Sequence, residues 1–297
     1  MADPPPEDVR ALAERRATER AARNFPAADA LREEIAAAGW TVVDEAGGFH
    51  LEPTAAVRLR SADVPSVLEE PPTADVSLHW VVEGWPEDVD RALASFRSVA
   101  GGRSLQFVVA DVTGEPPGRW GPGVEVVSLE AGTGWAAARN AGLRRSRGGT
   151  ILALDGSVEA AGDVLSPLEA ALADPTVGVC GPFGIVTDDL RDFREAPASG
   201  DCDAVEGYLM AFRRELLDAG LRFDRKFRFY RTADIELSFQ VKAMGLRAVV
   251  TPVPVERHEH RMWANTPQDR REQLSKRNFY RFLDRWRGRS DLTVAGP

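Results

Sequence analysis

Short apolar runs alternate with helix-like stretches over most of the chain. The apolar runs occupy residues 76–82, 105–110, 124–128, 151–154, 177–180 and 247–251. The stretches with helical spacing of apolar positions occupy residues 86–98, 134–146, 166–173 and 234–244. This alternation predicts an α/β domain with an open, largely parallel sheet flanked by helices. Ligands bind such sheets where the carboxyl ends of the strands meet the loops, so functional residues are expected directly after the apolar runs.

The pattern before residue 75 is different. Residues 7–38 predict two short helices, and residues 41–51 predict a β-hairpin around Gly47 and Gly48. Residues 53–74 contain four prolines without a sustained period, which is typical of a linker. The predicted organisation is a helical-hairpin module at 1–52, a proline-rich linker at 53–74, a main domain at 75–260, and a basic C-terminal helix and tail at 261–297.

The charge distribution adds one feature to this picture. The net charge of −9 argues against a general nucleic-acid binder. Residues 257–289 nevertheless carry ten Arg and Lys against four Asp and Glu, so this segment is +6 and the rest of the chain is −15. No apolar run reaches the ~18 residues of a membrane span, and the acidic, proline-rich start is unlike a secretory signal. With only two cysteines, the sequence predicts a cytoplasmic protein, with peripheral binding at a membrane as an added possibility.

A carboxylate follows the apolar run at 151–154. Asp155 opens the sequence Asp-Gly-Ser-Val-Glu, so it is expected at the carboxyl edge of the sheet. A carboxylate there can reach a divalent cation or a ribose, and it also suits a turn or a helix cap. Two further motifs bear on this choice: Gly-Trp-Ala-Ala-Ala-Arg-Asn-Ala-Gly at 134–142 and Ala-Asp-Ile-Glu-Leu-Ser at 233–238.

These motifs, in this order and spacing, resemble the family 2 glycosyltransferases. The resemblance extends over about residues 75–260 and implies a GT-A fold, a Rossmann-like sheet that binds a nucleotide-diphospho-sugar. In this family a Gly-x-Ala-x-Ala-Arg-Asn-x-Gly helix precedes a strand that ends in an Asp-x-Asp metal motif. A later Glu-Asp-x-Asp-Leu-Ser helix carries the catalytic base.

The resemblance implies roles for individual residues. Asp234 matches the base that deprotonates an acceptor hydroxyl, and Asp155 matches the first carboxylate of the metal motif. The residues that match donor-binding positions are Asp111 after the second strand, Arg139 and Asn140 in the alanine-rich helix, and Glu83 in the turn after the first strand. The implied reaction transfers a sugar with inversion, and a divalent cation (Mn²⁺ or Mg²⁺) neutralises the departing nucleoside diphosphate.

Several positions depart from the family pattern. Ser157 replaces the second carboxylate of the metal motif and is a poorer ligand for a hard cation. Ala233 replaces the acid before the base, and the turn after the first strand lacks the family's Thr-Tyr-Asn-like sequence. These changes bear on nucleotide affinity and metal dependence, while the base position is retained.

Two histidines follow the base helix in a stretch that looks extended. Because some family members complete the metal shell with a histidine after the base helix, we expect a metal site formed by Asp155, Ser157 and His258. In a strand, His258 and His260 would share one face, and the alternative is that both face solvent. Glu159 is a further candidate ligand that also suits a solvent-facing position.

The basic C-terminal segment predicts an amphipathic helix. Phe279, Phe282, Leu283 and Trp286 recur at helical spacing, which favours a helix docked on the main domain. The alternatives are a lid over the diphosphate and a surface for an anionic, lipid-linked acceptor. The acceptor is therefore left open, with lipid-linked and glycan hydroxyls as candidates.

The N-terminal module has its own resemblance. The sequence from Arg20 to Arg32, followed by Ile35, Gly39-Trp40-Thr41-Val42-Val43-Asp44 and Gly48, is similar to the C-terminal tail of cysteinyl-tRNA synthetases. The catalytic signatures and zinc-binding thiols of those enzymes are missing from the chain, so aminoacylation is not expected. The nearly balanced charge of the module favours a protein partner or a structural role over RNA.

Two functions follow from these observations. The leading hypothesis is a glycosyltransferase that acts on a nucleotide-diphospho-sugar. The alternative is a catalytically degenerate GT-A domain that binds a nucleotide sugar, a protein or RNA. Convergence of Asp155, His258 and Asp234 in one cleft would favour the enzyme, and burial of Asp234 in a structural ion pair would favour the binding module.

Overall fold

The chain divides into two units. The computed structural model describes residues 5–54, 57–115 and 117–295. One unit comprises Met1–Arg58 with Gly114–Pro122, and the other comprises Leu59–Thr113 with Gly123–Pro297. They are called the smaller and the larger unit below. Among the described helices, none combines the length and the apolar character needed to cross a bilayer.

The smaller unit contains the two helices and the hairpin that the sequence predicts. Its elements are α1 (Glu7–Ala21), α2 (Phe25–Ala37), β1 (Trp40–Glu45), β2 (Gly48–Pro53) and a 3-10 helix (Pro117–Trp120). Its core forms from Val9, Ala13, Ile35 and Val42. Arg16 is 2% exposed and donates two hydrogen bonds to Asp44, at 2.8 and 2.9 Å, which links α1 to the hairpin.

The larger unit is built on an eight-stranded sheet. Its strands are β3 (Ala74–Val82), β4 (Leu105–Asp111), β5 (Val124–Ser128), β6 (Gly148–Leu154), β7 (Val158–Ala160), β8 (Val177–Gly181), β9 (Gly184–Thr187), β10 (Phe193–Glu195), β11 (Gly200–Cys202), β12 (Ala204–Val205), β13 (Leu209–Arg213), β14 (Arg247–Val250) and β15 (Val255–Arg257). The main sheet has the order β11-β14-β8-β13-β6-β3-β4-β5. The remaining strands of this unit form two smaller sheets, one of order β10-β9-β12 and one of order β15-β7.

Helices occupy several connections between these strands, and the last ones follow β15. They are α3 (Pro86–Ser98), α4 (Trp135–Leu143), α5 (Leu165–Leu172), α6 (Glu215–Asp218), α7 (Ala233–Ala243), α8 (Arg261–Asn265), α9 (Gln268–Trp286) and a 3-10 helix (Ser290–Leu292). The predicted strands and helices after residue 75 are present with ends shifted by a few residues. The predicted α/β class is confirmed.

One central strand runs against the others. The pairs of β3 with β4, of β3 with β6, of β4 with β5 and of β14 with β8 are parallel, whereas β13 is antiparallel to both β6 and β8. The sheet is therefore mixed and mostly parallel. The sequence did not predict β13, because its four apolar residues fall between loops and a short apolar run does not distinguish a strand from a buried helix segment.

Residues 53–74 were predicted to be a linker, but the part from Leu59 onward packs within the larger unit. Leu59 pairs with Leu129, and Val64 and Val67 are 4% and 5% exposed. The guanidinium of Arg214 donates to the carbonyl oxygen of Val67 at 2.8 Å. The valines have apolar surface to bury, so this proline-rich stretch gains stability by packing rather than by staying solvated.

The C-terminal helix is part of the main core. Phe282, Leu283 and Trp286 of α9 are buried in the largest apolar cluster of the larger unit. Asn278 of the same helix is 2% exposed and donates to the carbonyl oxygens of Phe229 and Arg231, at 2.7 and 2.8 Å. These contacts fix the segment that precedes α7, the helix that carries the candidate base Asp234.

Candidate active site

Three parallel strands bring polar residues to one edge of the sheet. Val82 at the end of β3 is in register with Asp111 at the end of β4, and β6 ends one residue before Asp155. Because β3, β4 and β6 are parallel, Glu83, Asp111 and Asp155 all lie at the same carboxyl edge. This is the edge where open α/β sheets bind ligands.

Asp155 is held as a carboxylate by three donors. Its Oδ1 accepts hydrogen bonds from the backbone N–H of Ser157 at 2.8 Å and from the Ser157 hydroxyl at 2.5 Å. Its Oδ2 lies 3.0 Å from Nε2 of His260. Burial opposes ionisation of Asp155, but the hydrogen bonds from His260 and Ser157 outweigh it and keep its pKa below the ordinary value.

The histidine that meets Asp155 is His260 rather than His258. Strand β15 ends at Arg257, and His260 begins helix α8, so the two rings do not share the face of one strand. Nδ1 of His260 accepts the backbone N–H of Trp263 at 3.2 Å, which directs Nε2 toward Asp155. His258 instead places its Nε2 2.7 Å from Oε1 of Glu159. The alternation assumed from the sequence fails because a strand end and a helix cap separate the two histidines.

Ring contacts and the carboxylate fix His260 in the site. It stacks on Tyr230 with a centroid distance of 4.3 Å and an interplanar angle of 22°. Burial lowers the pKa of His260, but the hydrogen bond and the charge of Asp155 raise it by a larger amount. The pKa of His260 therefore lies above its ordinary value. Asp155 and His260 therefore form a polar pair whose side chains are both largely shielded from solvent.

Asp234 has a different environment from Asp155. It lies in the first turn of α7, where its Oδ2 accepts the backbone N–H of Gly207 at 2.8 Å and its Oδ1 that of Ile235 at 2.9 Å. Burial raises its pKa, and the hydrogen bond from Gly207 only partly opposes this. No Lys, Arg or His in the described part of the chain forms an ion pair with Asp234. The buried ion pair that would favour a purely structural role is therefore absent from the described residues.

Two cavities meet at the Asp155–His260 pair. The smaller one, of about 60 Å³, is lined by Glu83, Gly84 and Trp85 after β3 and by Arg261 and Met262 of α8. The larger one, of about 680 Å³, extends to α7 and α9 and is called the cleft below. The residues that line both are Trp135, Asp155, Tyr230 and His260. A volume of 680 Å³ is within the usual range for a small-molecule site.

Asp155 and Asp234 line the same cleft, whereas His258 does not. Of the three residues whose convergence would favour an enzyme, the structure therefore brings two together. His260 occupies the place that the sequence analysis gave to His258.

Arg139 and Asn140 of α4 bind the backbone around the site. Arg139 is 3% exposed and donates to the carbonyl oxygens of His79 and Leu154, at 2.6 and 2.7 Å. Burial lowers its pKa to about 10, although Asp155 and Glu83 oppose the shift. Asn140 makes two hydrogen bonds with the backbone of Phe223, at 2.7 and 3.1 Å. Both side chains therefore hold protein backbone in this structure.

The two remaining predicted donor residues differ in accessibility. Asp111 is fully buried, and its Oδ1 accepts hydrogen bonds from the backbone N–H and the hydroxyl of Thr113, at 2.8 and 2.6 Å. Glu83 is half-buried and lines the smaller cavity. Burial raises the pKa of Glu83 to about 7, although Arg139 and His260 act in the opposite direction.

Two strained residues border the cavities. Trp85 and Thr232 have φ of 49° and 69°, in the left-handed region that side chains rarely adopt. Each immediately precedes a helix, α3 and α7 respectively, and Trp85 lines the smaller cavity while Thr232 lines the cleft. Such strain is often found at functional sites.

The cleft contains residues that the sequence analysis did not assign. Glu206, Tyr208 and Arg231 line it together with Tyr230. Burial and the nearby charge of Asp234 raise the pKa of Glu206. No motif marks these positions. The one local signal that could have indicated Tyr230 and Arg231 is their position four and three residues before Asp234.

Comparison with known proteins agrees with this geometry. Residues 110–239 match the model of the family described as Glycosyl transferase family 2. The match includes the alanine-rich helix, Asp155 and Asp234, so the resemblance predicted from the motifs is confirmed for this segment.

Solved structures with the same fold are also glycosyltransferases. A mannosyltransferase, PcManGT from Pyrobaculum calidifontis, in complex with GDP-Man and Mn²⁺, is 21% identical with a TM-score of 0.52, over 75% of this chain and 69% of that one. GalNAc-T7 with UDP, GalNAc and Mn²⁺ is 17% identical with a TM-score of 0.55, over 71% of this chain and 48% of that one. These likenesses confirm the predicted GT-A fold.

The N-terminal segment matches a different protein. A cysteine–tRNA ligase from Opitutus terrae is 54% identical over 48 residues, which are 16% of this chain. The chain spans only about a tenth of the length of that ligase, because the match covers 10% of it. The predicted resemblance of the module is thus confirmed as a likeness to a small part of the ligase.

Proposed function

We propose that the larger unit transfers a sugar from a nucleotide-diphospho-sugar to an acceptor hydroxyl with inversion. The observation that carries this proposal is that Asp155 and Asp234 line one cleft while their environments shift their pKa values in opposite directions. Two carboxylates separated in this way suit different tasks, an anionic ligand and a proton acceptor. The likeness to transferases crystallised with GDP-Man and with UDP supports a nucleotide-linked donor.

The donor is proposed to lie at the carboxyl edge of β3, β4 and β6. Glu83 and Trp85 would contact it from the smaller cavity, and Asp155 lies where that cavity meets the cleft. Asp111, Arg139 and Asn140 would contribute indirectly to donor binding, Asp111 by holding the turn after β4 through Thr113 and the other two by holding the strands and loops around the donor. The sugar would then project into the cleft, toward Asp234.

A divalent cation fits the donor atoms of this site in part. Asp155 supplies a carboxylate, His260 an imidazole nitrogen and Ser157 a hydroxyl, while His258 contacts Glu159. No cluster of three or more His, Cys, Asp or Glu side chains suited to a metal occurs among residues 5–54, 57–115 and 117–295. Substrate phosphates complete the coordination shell of cations that have so few protein ligands, and a diphosphate donor would supply such phosphates. A bound Mn²⁺ or Mg²⁺ would neutralise negative charge on the leaving group.

Asp234 is proposed to accept the proton of the acceptor hydroxyl. The hydroxyl oxygen attacks the anomeric carbon, the bond from that carbon to the diphosphate breaks, and the nucleoside diphosphate leaves. A single displacement of this kind inverts the anomeric configuration. A carboxylate whose pKa is raised by burial is a stronger base than an exposed one, and the N–H of Gly207 keeps it oriented toward the cleft.

The experiment measures donor binding and transfer with the full chain. We expect GDP or UDP to bind more tightly with Mn²⁺ than without it, by calorimetry. Asp234→Asn should abolish transfer while changing nucleoside-diphosphate affinity by less than a few-fold, because the base touches the acceptor rather than the nucleotide. Asp284→Asn, an exposed carboxylate on α9, is the matched control and should keep native turnover.

Two results would contradict the proposal. Native turnover by Asp234→Asn would reject the base, and the absence of binding by any uridine or guanosine diphosphate would reject the donor class. Binding of nucleotide without turnover of any nucleotide sugar would favour the binding module.

Further parts of the proposal concern the surroundings of this reaction. We propose a cytoplasmic location and, for residues 1–52, contact with a protein partner, for which the nearly balanced charge of this module is the argument. Deletion of residues 1–52 should then change partner capture and leave nucleoside-diphosphate affinity unaltered. Loss of that affinity on deletion would contradict the separation of roles.

A further inference from the structure

Two exposed cations line the cleft. Arg231 precedes α7, and Lys276 lies on α9. Neither forms an ion pair with a residue in the described ranges. Two other exposed arginines of this unit do form ion pairs, Arg194 with Asp188 at 2.7 Å and Arg247 with Asp174 at 2.7 Å. The cations of the cleft are therefore available to a ligand.

Stacking holds Arg231 in place at the cleft. Its guanidinium carbon lies 4.8 Å from the ring centroid of Trp263, and the guanidinium carbon of Arg271 lies 4.7 Å from the same centroid. Two like charges held near one ring repel each other, and an anion beside them would relieve that repulsion. An oriented guanidinium also loses less conformational freedom when it binds an oxyanion.

A third donor lies beside Lys276. Ser275 lines the cleft, and its hydroxyl oxygen is shielded from solvent and has no hydrogen-bond partner within the described part of the chain. A buried polar atom without a partner costs free energy, so this hydroxyl is suited to bind a ligand oxygen.

The acidic residues nearest the reaction are less exposed than the two cations. Asp155, Glu206 and Asp234 are half-buried. At the exposed margin, Arg191 is followed by Asp192, so this pair contributes opposite charges. The exposed margin of the cleft at Arg231 and Lys276 therefore carries a net positive charge.

We propose that the acceptor of the reaction carries a phosphate group, which Arg231, Ser275 and Lys276 bind while the acceptor hydroxyl faces Asp234. Guanidinium, ammonium and hydroxyl groups together provide the donors that phosphate oxygens accept. This inference rests on the proposed function, since it names the class of acceptor for the same cleft. The phosphate belongs either to a free sugar phosphate or to a lipid headgroup.

The test compares matched probes by titration calorimetry with the full chain. Glucose 6-phosphate is compared with glucose, and vesicles of phosphatidylcholine containing phosphatidylinositol are compared with phosphatidylcholine alone. We expect one phosphorylated probe to bind at least tenfold more tightly than its partner. Preference for glucose 6-phosphate identifies a soluble acceptor, and preference for the phosphatidylinositol vesicles identifies a lipid-linked one.

Variants locate the binding site. Arg231→Gln and Lys276→Gln should each weaken binding of the preferred probe about tenfold or more, the usual effect of losing a charged hydrogen bond. Ser275→Ala should weaken it by less. Arg277→Gln is the control, because Arg277 is the exposed neighbour of Lys276 and does not line the cleft, and it should change affinity less than twofold.

A final titration separates the acceptor from the donor. The preferred probe should still bind when GDP and Mn²⁺ are saturating. Displacement by GDP would assign the cations to the donor diphosphate and overturn the inference, as would equal binding of phosphorylated and unphosphorylated probes or an equal effect of Arg277→Gln. If GDP and UDP fail to bind but the phosphate preference persists, the proposed transfer fails while the phosphate site stands.

Discussion

Replacement of Arg139 tests whether its forked guanidinium holds the floor of the site together. The side chain is buried under the Asp155 turn, and its two terminal nitrogens donate to carbonyl oxygens on β3 and β6. Its guanidinium carbon lies 5.2 Å from the ring centroid of Trp135, which lines both cavities. Arg139→Lys keeps the charge but offers one ammonium group, which cannot donate to both carbonyls in the same geometry.

The expected loss follows from the number of hydrogen bonds. A hydrogen bond to a charged group contributes about 1.5–3 kcal/mol, so Arg139→Lys should lower the free energy of unfolding by about that amount. Arg139→Met removes both hydrogen bonds, but it also removes a buried charge. Burial lowers the pKa of Arg139 from 12.5 to about 10, which corresponds to about 3 kcal/mol against the charged form. The two variants should therefore be destabilised to a similar extent.

Urea denaturation followed by tryptophan fluorescence measures this difference. Arg277→Met, at an exposed position, is the control and should stay within about 0.5 kcal/mol of the native protein. An Arg139→Lys variant as stable as the native protein would refute the need for a forked donor. A loss of nucleoside-diphosphate affinity without any loss of stability would show instead that Arg139 contacts the donor directly.

Three further predictions concern the support of the site. Asp203 is fully buried and accepts a hydrogen bond from Lys242 at 2.7 Å, so Asp203→Asn should lower the free energy of unfolding by about 3–5 kcal/mol in chemical denaturation. Adding Lys242→Met should recover part of this loss, and strictly additive effects of the two substitutions would contradict the coupling. Phe282→Ala should lower the free energy of unfolding by about 3–5 kcal/mol because Phe282 is 0% exposed, whereas Tyr280→Ala, at a position with 52% exposure, should lower it by less than about 0.5 kcal/mol. Equal melting temperatures of the two variants would show that α9 is not docked. Burial raises the pKa of Glu236 from 4.5 to about 7, so the folded state binds the extra proton and stability should fall as pH rises from 4.5 to 7, by at most about 3 kcal/mol. Glu236→Gln should remove that slope, and an unchanged pH profile of unfolding would contradict the assignment.

Local pattern was sufficient for most elements of the larger unit. The runs at 76–82 and 124–128 and the helical stretch at 86–98 correspond closely to β3, β5 and α3, because alternation and turn residues act within a few positions. The position of Asp155 at the carboxyl edge also followed from the sequence, since a polar residue directly after a buried strand must lie at the end of that strand.

Contacts between distant segments could not be read in the same way. His258 and His260 have nearly the same local sequence context, and the choice between them depends on where β15 ends and where α8 begins. The packing of residues 59–70 against the larger unit was missed for a similar reason, because proline content reports backbone stiffness and gives no information about a partner surface.

The amino-acid sequence was enough to predict the class of sheet, the likeness to family 2 glycosyltransferases and the two candidate carboxylates, Asp155 and Asp234. These depend on side-chain period and on short motifs, which are local properties of the chain. The three-dimensional fold was needed to show that His260 is the partner of Asp155, that Arg139 holds backbone, and that Arg231 and Lys276 line one cleft. Those outcomes depend on burial and on charges brought together by folding, which shift pKa values and leave cations unpaired in ways that no local pattern encodes.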